Sequence, residues 1–437
     1  MKSVFRIRRK GKVKPIVLST LQTPEDLDAK LALIQVLIPL GLLAVAQELR
    51  REVIALAGER YSRTGGLPGI VRWSQQRGSV FLADQKVAVT YRRLRDRAQN
   101  REIPLQTYQG LQKPREADGK LLLQILRGLS CRSYLPAQTG AECAEAIPAA
   151  FGLSPSSVSR RFIRTSARKL RELCERRLES YDFVALFLDG KTFAEDEMII
   201  ALGITLSGEK VILGFIQTGT ENERVCSDFL QTLLERGLRM DPGLLCILDG
   251  SKGLHKAIQK VFGSQALIQR CHLSACNAQA EWHKRENVVS YLPKSQQALW
   301  RRKLQEAYEK PTYAEAHAAL LRCRQELRLI NVSAIASLDE GMEETLTLHR
   351  LGVFSALGIS LKTTNCLESL MAQVGQRTGK VDRWRNSDQK QRWVASALLD
   401  IEPRLRRIKG YRHLPTLRAA LRTEIQGKEV AAANAVA

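Results

Sequence analysis

Two apolar runs that end on the same three residues constrain this 437-residue chain more than any other feature. The first is Phe183-Val184-Ala185-Leu186-Phe187-Leu188-Asp189-Gly190; the second is Leu244-Leu245-Cys246-Ile247-Leu248-Asp249-Gly250. An uninterrupted apolar run of this length, closed by a turn signal, reads as a buried strand. Each run stops on a carboxylate. A carboxylate at such a tip is rigid on its backbone side and solvated on the other, which suits holding a hard cation. One such end is weak; two, with a candidate hairpin and helix between them, are specific.

The segments around the two runs predict an order of elements. Glu195-Asp196-Glu197 reads as a turn, residues 198–206 as a strand, Ser207-Gly208-Glu209 as a hairpin turn and residues 210–217 as a third strand. Residues 222–238 read as a helix. After the second Leu-Asp-Gly come a helix over 251–261 and a short strand over 266–270. The order β-β-β-α-β-α-β is that of a ribonuclease H-like core, an α/β fold with a mixed sheet flanked by helices. In that order the two runs lie side by side, and Asp189 and Asp249 converge at one end of the sheet. From 278 the composition turns helical and rich in Lys, Arg, Glu and Leu, which predicts an all-helical insertion over 278–355. Beyond it, Thr363 or Thr364 caps a helix that carries Glu368 one turn in, the best-placed third carboxylate.

Three converging carboxylates suit phosphoryl transfer on a nucleic-acid backbone. Two Mg²⁺ ions activate a hydroxyl or water and stabilise the leaving oxygen. Mg²⁺ takes oxygen ligands and shares its shell with substrate phosphates, so few protein carboxylates suffice, and Mn²⁺ is the expected substitute. The bland alternative for any single carboxylate is a solvated surface acid; the matched strand ends argue against it for the set.

Charge points to the substrate. Lys and Arg total 68 against 45 Asp and Glu, a formal net charge of +23. Such an excess favours a polyanionic partner, nucleic acid by default, over a merely basic soluble protein. Within residues 139–180 the pattern sharpens. A helix over 141–151, a turn at Gly152-Leu153 and a second helix opened by Ser154-Pro155 outline a helix-turn-helix. The second helix carries Ser156, Ser157, Ser159, Arg160, Arg161 and Arg164, with six basic residues and no acidic one between Ser154 and Arg171. Hydroxyls and guanidinium groups so placed meet phosphates and base edges; an ordinary hairpin with a solvated basic face is the competing reading.

The remaining regions are less informative. Residues 1–62 read as a basic arm, partly disordered over 1–20, followed by helices over 24–38 and 40–60 hinged at Pro39-Leu40-Gly41. Residues 63–138 read as a linker to about 80, a small β element over 80–91 with a basic edge, a loop over 100–119 and a helix over 120–129. Residues 356–425 close the core with basic helices in which Trp384 and Trp393 either stack on DNA or pack inward. The Ala-rich end, 426–437, is expected to fray. Nine scattered cysteines without a CxxC pair fit a reduced, cytoplasmic protein and give no support to zinc fingers. The longest apolar stretch, 31–46, is shorter than the roughly 20 residues a membrane span needs.

On these motifs the chain resembles the Mutator-like DDE transposases of bacterial insertion sequences. Leu188-Asp189-Gly190-Lys191, Asp249-Gly250-Ser251-Lys252-Gly253-Leu254 and Thr364-Asn365-Cys366-Leu367-Glu368-Ser369 are similar to that family's three catalytic segments. The run 377–385 and Gln391-Arg392-Trp393 are also similar to the family. The resemblance implies a ribonuclease H-like core interrupted by a helical insertion and Mg²⁺-dependent strand cleavage and joining. It also implies binding to double-stranded DNA, as terminal inverted repeats and target, by a homodimer or larger assembly on paired ends. It assigns Asp189, Asp249 and Glu368 as the metal-holding triad, with Asn365, Cys271 and His283 as support. The chain departs from the family in one place. Gln269-Arg270-Cys271 matches a Cys-x-x-His motif, but His283 follows Cys271 by 12 positions instead of three. A DNA-binding remnant without chemistry and a nuclease of the same fold therefore stand beside the transposase reading.

Overall fold

The computed structural model describes residues 4–9, 12–17, 27–61, 66–82, 85–112, 117–132, 154–219, 222–271 and 284–436. It divides into two compact units, Met1–Thr165 and Ser166–Ala437.

In the first unit, β1 (Val4–Arg9) pairs antiparallel with β2 (Lys12–Val17), Val4 opposite Val17. A partly disordered arm was expected there; apolar and basic residues alternate over Phe5-Arg6-Ile7-Arg8 of β1, the pattern of a strand. The helix α1 (Leu27–Ala57) is continuous where two helices hinged at Pro39 were expected. Proline removes one hydrogen bond, and the Leu, Ile and Ala on both sides are strong enough helix formers to carry the helix through. Its Val45, Leu49 and Val53, spaced by four, bury against Val80, Leu94 and Leu105. The last three come from an antiparallel sheet of β3 (Ile70–Leu82), β4 (Gln85–Asp96) and β5 (Arg101–Ile103) and the chain that follows it. β3 thus starts inside the expected linker. Within the expected loop, the short helix α2 (Gln106–Gly110) forms because Glu52 of α1 accepts hydrogen bonds from the Gln106 and Thr107 N–H groups, at 2.5 and 3.0 Å. The helix α3 (Ala117–Leu126) follows, starting three residues before its expected position. The first helix of the expected helix-turn-helix, 141–151, lies outside the described residues. Its second helix is present as α4 (Pro155–Cys174), running across the division between the units.

The second unit is mixed α/β. Its five-stranded sheet has the order β10-β9-β6-β7-β8, built from β6 (Phe183–Phe193), β7 (Asp196–Thr205), β8 (Lys210–Thr218), β9 (Leu244–Leu248) and β10 (Ala266–Arg270). β6, β7 and β8 are antiparallel neighbours, and β9 and β10 continue the sheet parallel to β6. The parallel crossovers are α5 (Glu223–Glu235) and α6 (Lys252–Phe262). The turn expected at 195–197 is shorter, because β7 already begins at Asp196, whose carboxylate is held by Lys390 and Gln217.

Both faces of the sheet are covered. Leu186, Leu188, Cys246 and Leu248 pack with Phe229, Leu230, Leu254 and Ile258 of α5 and α6. Ala185, Phe187, Leu245 and Ile247 pack on the other side with the C-terminal helices. These helices are α13 (Phe354–Leu361), α14 (Asn365–Thr378), α15 (Ser387–Ile401) and α16 (Leu414–Val436), after the insertion's α7 to α12. Trp384 packs against this core, its ring 5.0 Å from Phe193 and 6.2 Å from Trp393, so for Trp384 the inward reading holds. α16 continues through the Ala-rich end to Val436, where fraying was expected; alanine is the best helix former.

The insertion comprises α7 (Lys284–Ser290), α8 (Lys294–Tyr308), α9 (Tyr313–Arg328), α10 (Val332–Asp339), α11 (Met342–Thr345) and α12 (Thr347–Arg350). It has its own core of Val288, Trp300, Leu304, Tyr308, Leu320, Leu327 and Leu338. Gln269, fully buried at the end of β10, fastens its return. The Gln269 side chain donates to the Thr345 carbonyl (2.8 Å) and accepts from the Leu348 N–H (2.9 Å). Arg270 adds an ion pair to Glu344 at 2.5 Å. Among the described residues no helix is long and apolar enough to cross a membrane.

Candidate active site

Register brings the first two carboxylates level. The last paired positions of β6 and β9 are Leu188 and Leu248, so Asp189 and Asp249 occupy the next step on neighbouring parallel strands. Equal steps on parallel strands share a sheet face, here that of Phe187 and Ile247. β6 runs on past Asp189 as a partner of β7, which leaves Asp189 only 1% exposed. β9 stops before Asp249. There the Ser251 N–H donates to Asp249 Oδ1 (3.0 Å), and Ser251 Oγ caps α6 by accepting from Leu254 N–H (3.3 Å).

The third carboxylate arrives from a helix on the same face. Leu367, Leu370 and Val374 of α14 sit in the cluster with Phe187 and Ile247. Glu368 lies in the first turn of α14, its N–H bonded to the Thr364 carbonyl. Thr364 holds the expected cap position, but its side chain makes no cap bond.

One cation joins the set. Lys191 Nζ stands 3.2 Å from Asp189 Oδ2 and 3.9 Å from Glu368 Oε1. Burial works against the Lys191 charge, but Asp189 first, then Glu368 and Asp249, outweigh it and raise its pKa above the ordinary lysine value. Lys191 thus stands within 4 Å of two of the three acids. Sequence reasoning gave Lys191 no role, although the signal was present: two residues along a strand from Asp189, it shares that residue's face.

The supporting residues differ in what surrounds them. Asn365 Oδ1 is buried and meets no donor among the described residues. The Cys366 thiol is pushed up to about 12, chiefly by burial. Cys271 is buried, follows Arg270, which pairs with Leu248, and so stands level with Asp249; its N–H donates to the Leu248 carbonyl at 2.8 Å. His283 lies outside the described residues.

The donors are of the kind a hard divalent cation takes: Asp189 and Asp249 follow level positions of neighbouring strands, and Asn365 Oδ1 is buried and meets no donor among the described residues. Among the described residues no three His, Cys, Asp or Glu side chains already form a ready cage, and the Lys191 ammonium lies between Asp189 and Glu368.

The six expected DNA-contacting residues fall on the N-terminal half of α4. Ser156, Arg160 and Arg164 are exposed, and Ser157 and Ser159 are half-buried. Arg161 turns inward. Its Nε donates to Asp118 Oδ1 at 2.9 Å, with both side chains 12% exposed, and ties α4 to α3. Arg164 reaches the same carboxylate at 3.4 Å.

Residues 130–405 match the family model described as transposase, Mutator family. The chain belongs to the Mutator family of transposases. It is 28% identical over 207 residues to the transposase for insertion sequence element IS256 in transposon Tn4001 of Staphylococcus aureus, covering 46% of this chain and 48% of that protein. It is 25% identical over 284 residues to the transposase for IS905 of Lactococcus lactis subsp. lactis, covering 63% and 68%. With the transposase for IST2 of Acidithiobacillus ferrooxidans it shares 27% identity over 236 residues, 52% and 74%. The chain thus spans about half the length of the first of these relatives. The Mutator-family match takes in α4 and all three carboxylates, and leaves the β3–β5 sheet outside.

Proposed function

We propose that this Mutator-family chain is the transposase of an insertion sequence, a DNA strand-cleaving and strand-joining enzyme whose second unit is a ribonuclease H-like core with a helical insertion. The observation that supports this reading is that Asp189 and Asp249 follow level positions of neighbouring parallel strands, while Lys191 Nζ stands within 4 Å of both Asp189 and Glu368.

Asp189, Asp249 and Glu368 would hold Mg²⁺, with Mn²⁺ as substitute, and the buried Asn365 Oδ1 would add a ligand or orient one. Bound there, the metal would lower the pKa of an attacking hydroxyl and stabilise the leaving oxygen. The chain's own contribution is position. β6 fixes Asp189 along its length, Ser251 orients the Asp249 carboxylate, and α14 presents Glu368 from its N-terminal turn. Cys271, just past β10, would support that strand end through its N–H bond to the Leu248 carbonyl. The net charge of +23 and the outward face of α4 suit the phosphate backbone of terminal inverted repeats and target DNA. Joining two ends requires at least a dimer on paired ends.

Asp189→Asn tests this. It removes a metal ligand and no phosphate contact, so Mg²⁺-dependent cleavage of end DNA should disappear while gel-shift affinity for the end stays within about threefold. Cleavage at the wild-type rate by the variant would end the assignment. Wild-type protein that cleaves but never joins would be a nuclease of the same fold, and one that binds ends but neither cleaves nor joins would be a remnant.

A further inference from the structure

Three carboxylates gathered at one sheet end repel one another, and Asp189 is almost wholly shut off from water. Like charges in such a place need a counter-charge or they take up protons. Lys191 supplies one: its Nζ pairs with Asp189 at 3.2 Å and with Glu368 at 3.9 Å. Its backbone is fixed in β6, opposite Met198 of β7, so the ammonium does not rely on a loop for its placement. Its side chain is 28% exposed, which leaves a four-carbon stem with a route to solvent. The ammonium therefore lies between two of the groups a divalent cation would bridge, and it can leave without moving the sheet.

We propose that Lys191 is a resident counter-ion that competes with the divalent cation for this carboxylate cluster. In the metal-free protein it holds Asp189 and Glu368 together; when metal enters, the ammonium gives way toward solvent. Lys191 is thus a positioning residue whose charge sets how tightly the site takes metal before DNA arrives. The inference rests on the metal-holding role given above to Asp189, Asp249 and Glu368.

The test is metal binding by the full chain without DNA. Mn²⁺ titration followed by electron paramagnetic resonance should show Lys191→Met binding about tenfold tighter than wild type, since removing a cation within about 4 Å removes a competitor worth one pK unit or more. Lys191→Met should also melt lower in EDTA and gain more from Mn²⁺ than wild type does. Equal Mn²⁺ affinity in the two proteins, or an equal loss of melting temperature with and without Mn²⁺, would mean that Lys191 only packs, and would overturn the proposal. Wild-type protein offers a second measurement that does not depend on the variant folding. Acetylation of Lys191 by a lysine-reactive ester, read by peptide mass spectrometry, should rise severalfold on adding Mn²⁺; an unchanged rate counts against displacement. Asp189→Asn separates the two levels. If wild type binds Mn²⁺ and Asp189→Asn does not, but Lys191→Met binds no tighter, only the counter-ion role fails. If wild type binds no Mn²⁺ at all, the metal-holding reading fails and takes the counter-ion with it.

Discussion

Asp189 and His349 are buried for different ends. Asp189 pairs with Lys191 at 3.2 Å, and we expect its amide variant to lose chemistry while folding normally. His349 is 4% exposed, its ring stacked 3.7 Å from Phe354 and its Nε2 bonded to the Lys310 carbonyl at 2.9 Å. Burial, opposed by those backbone bonds, lowers its pKa below the ordinary value. The folded chain therefore resists a proton that the unfolded chain accepts. Its contribution to stability is fully present above about pH 6.5 and is lost as pH falls through the folded value. Urea midpoints at pH 7.5 and 5.5 should differ less for His349→Gln than for wild type; an undiminished acid slope would show that this ring plays no part. At this scale the acids were legible in the sequence, because each ends an apolar run or follows a cap. Arg161 was not: its partner Asp118 lies 43 positions away, and nothing local marks a guanidinium as turned inward.

Among the elements, the buried strands were the most legible and the insertion's anchorage the least. β10 falls on its expected residues and β6, β7 and β8 begin or end within a few of theirs, since apolar runs and a Ser-Gly turn declare themselves locally. α2 is the opposite case, since its cap is Glu52 from another helix. Two substitutions probe these layers. Phe187, fully buried at the centre of β6, should cost about 3–5 kcal/mol on truncation to Ala, read by urea denaturation. Gln269→Ala should leave the Leu348 N–H and the Thr345 carbonyl buried without their partner, at about 1–3 kcal/mol for each group. Its distinguishing sign is local: limited proteolysis should speed up within 284–350 before the rest of the chain. Uniform protection equal to wild type would mean that Arg270 and Glu344 hold the insertion without it.

For the whole molecule, charge and carboxylates make one argument. A chain with formal charge +23 should bind end DNA with a steep salt dependence. Arg160→Ala, on the exposed face of α4, should weaken that binding and flatten the slope of log K against log salt by about one unit if it meets a phosphate. An unaltered slope would remove Arg160 from the interface. The Mutator-family match gives the chain its lineage, and the proposed site at Asp189, Asp249 and Glu368 would give the chemistry a place. The most direct test of that place is strand transfer of a pre-cut terminal repeat into plasmid DNA with Mg²⁺, by wild type and by Asp189→Asn, Asp249→Asn and Glu368→Gln. The prediction is that wild type joins the end and each variant falls by at least about 10³-fold while still binding it. Joining at the wild-type rate by any one of the three would contradict a single three-carboxylate site.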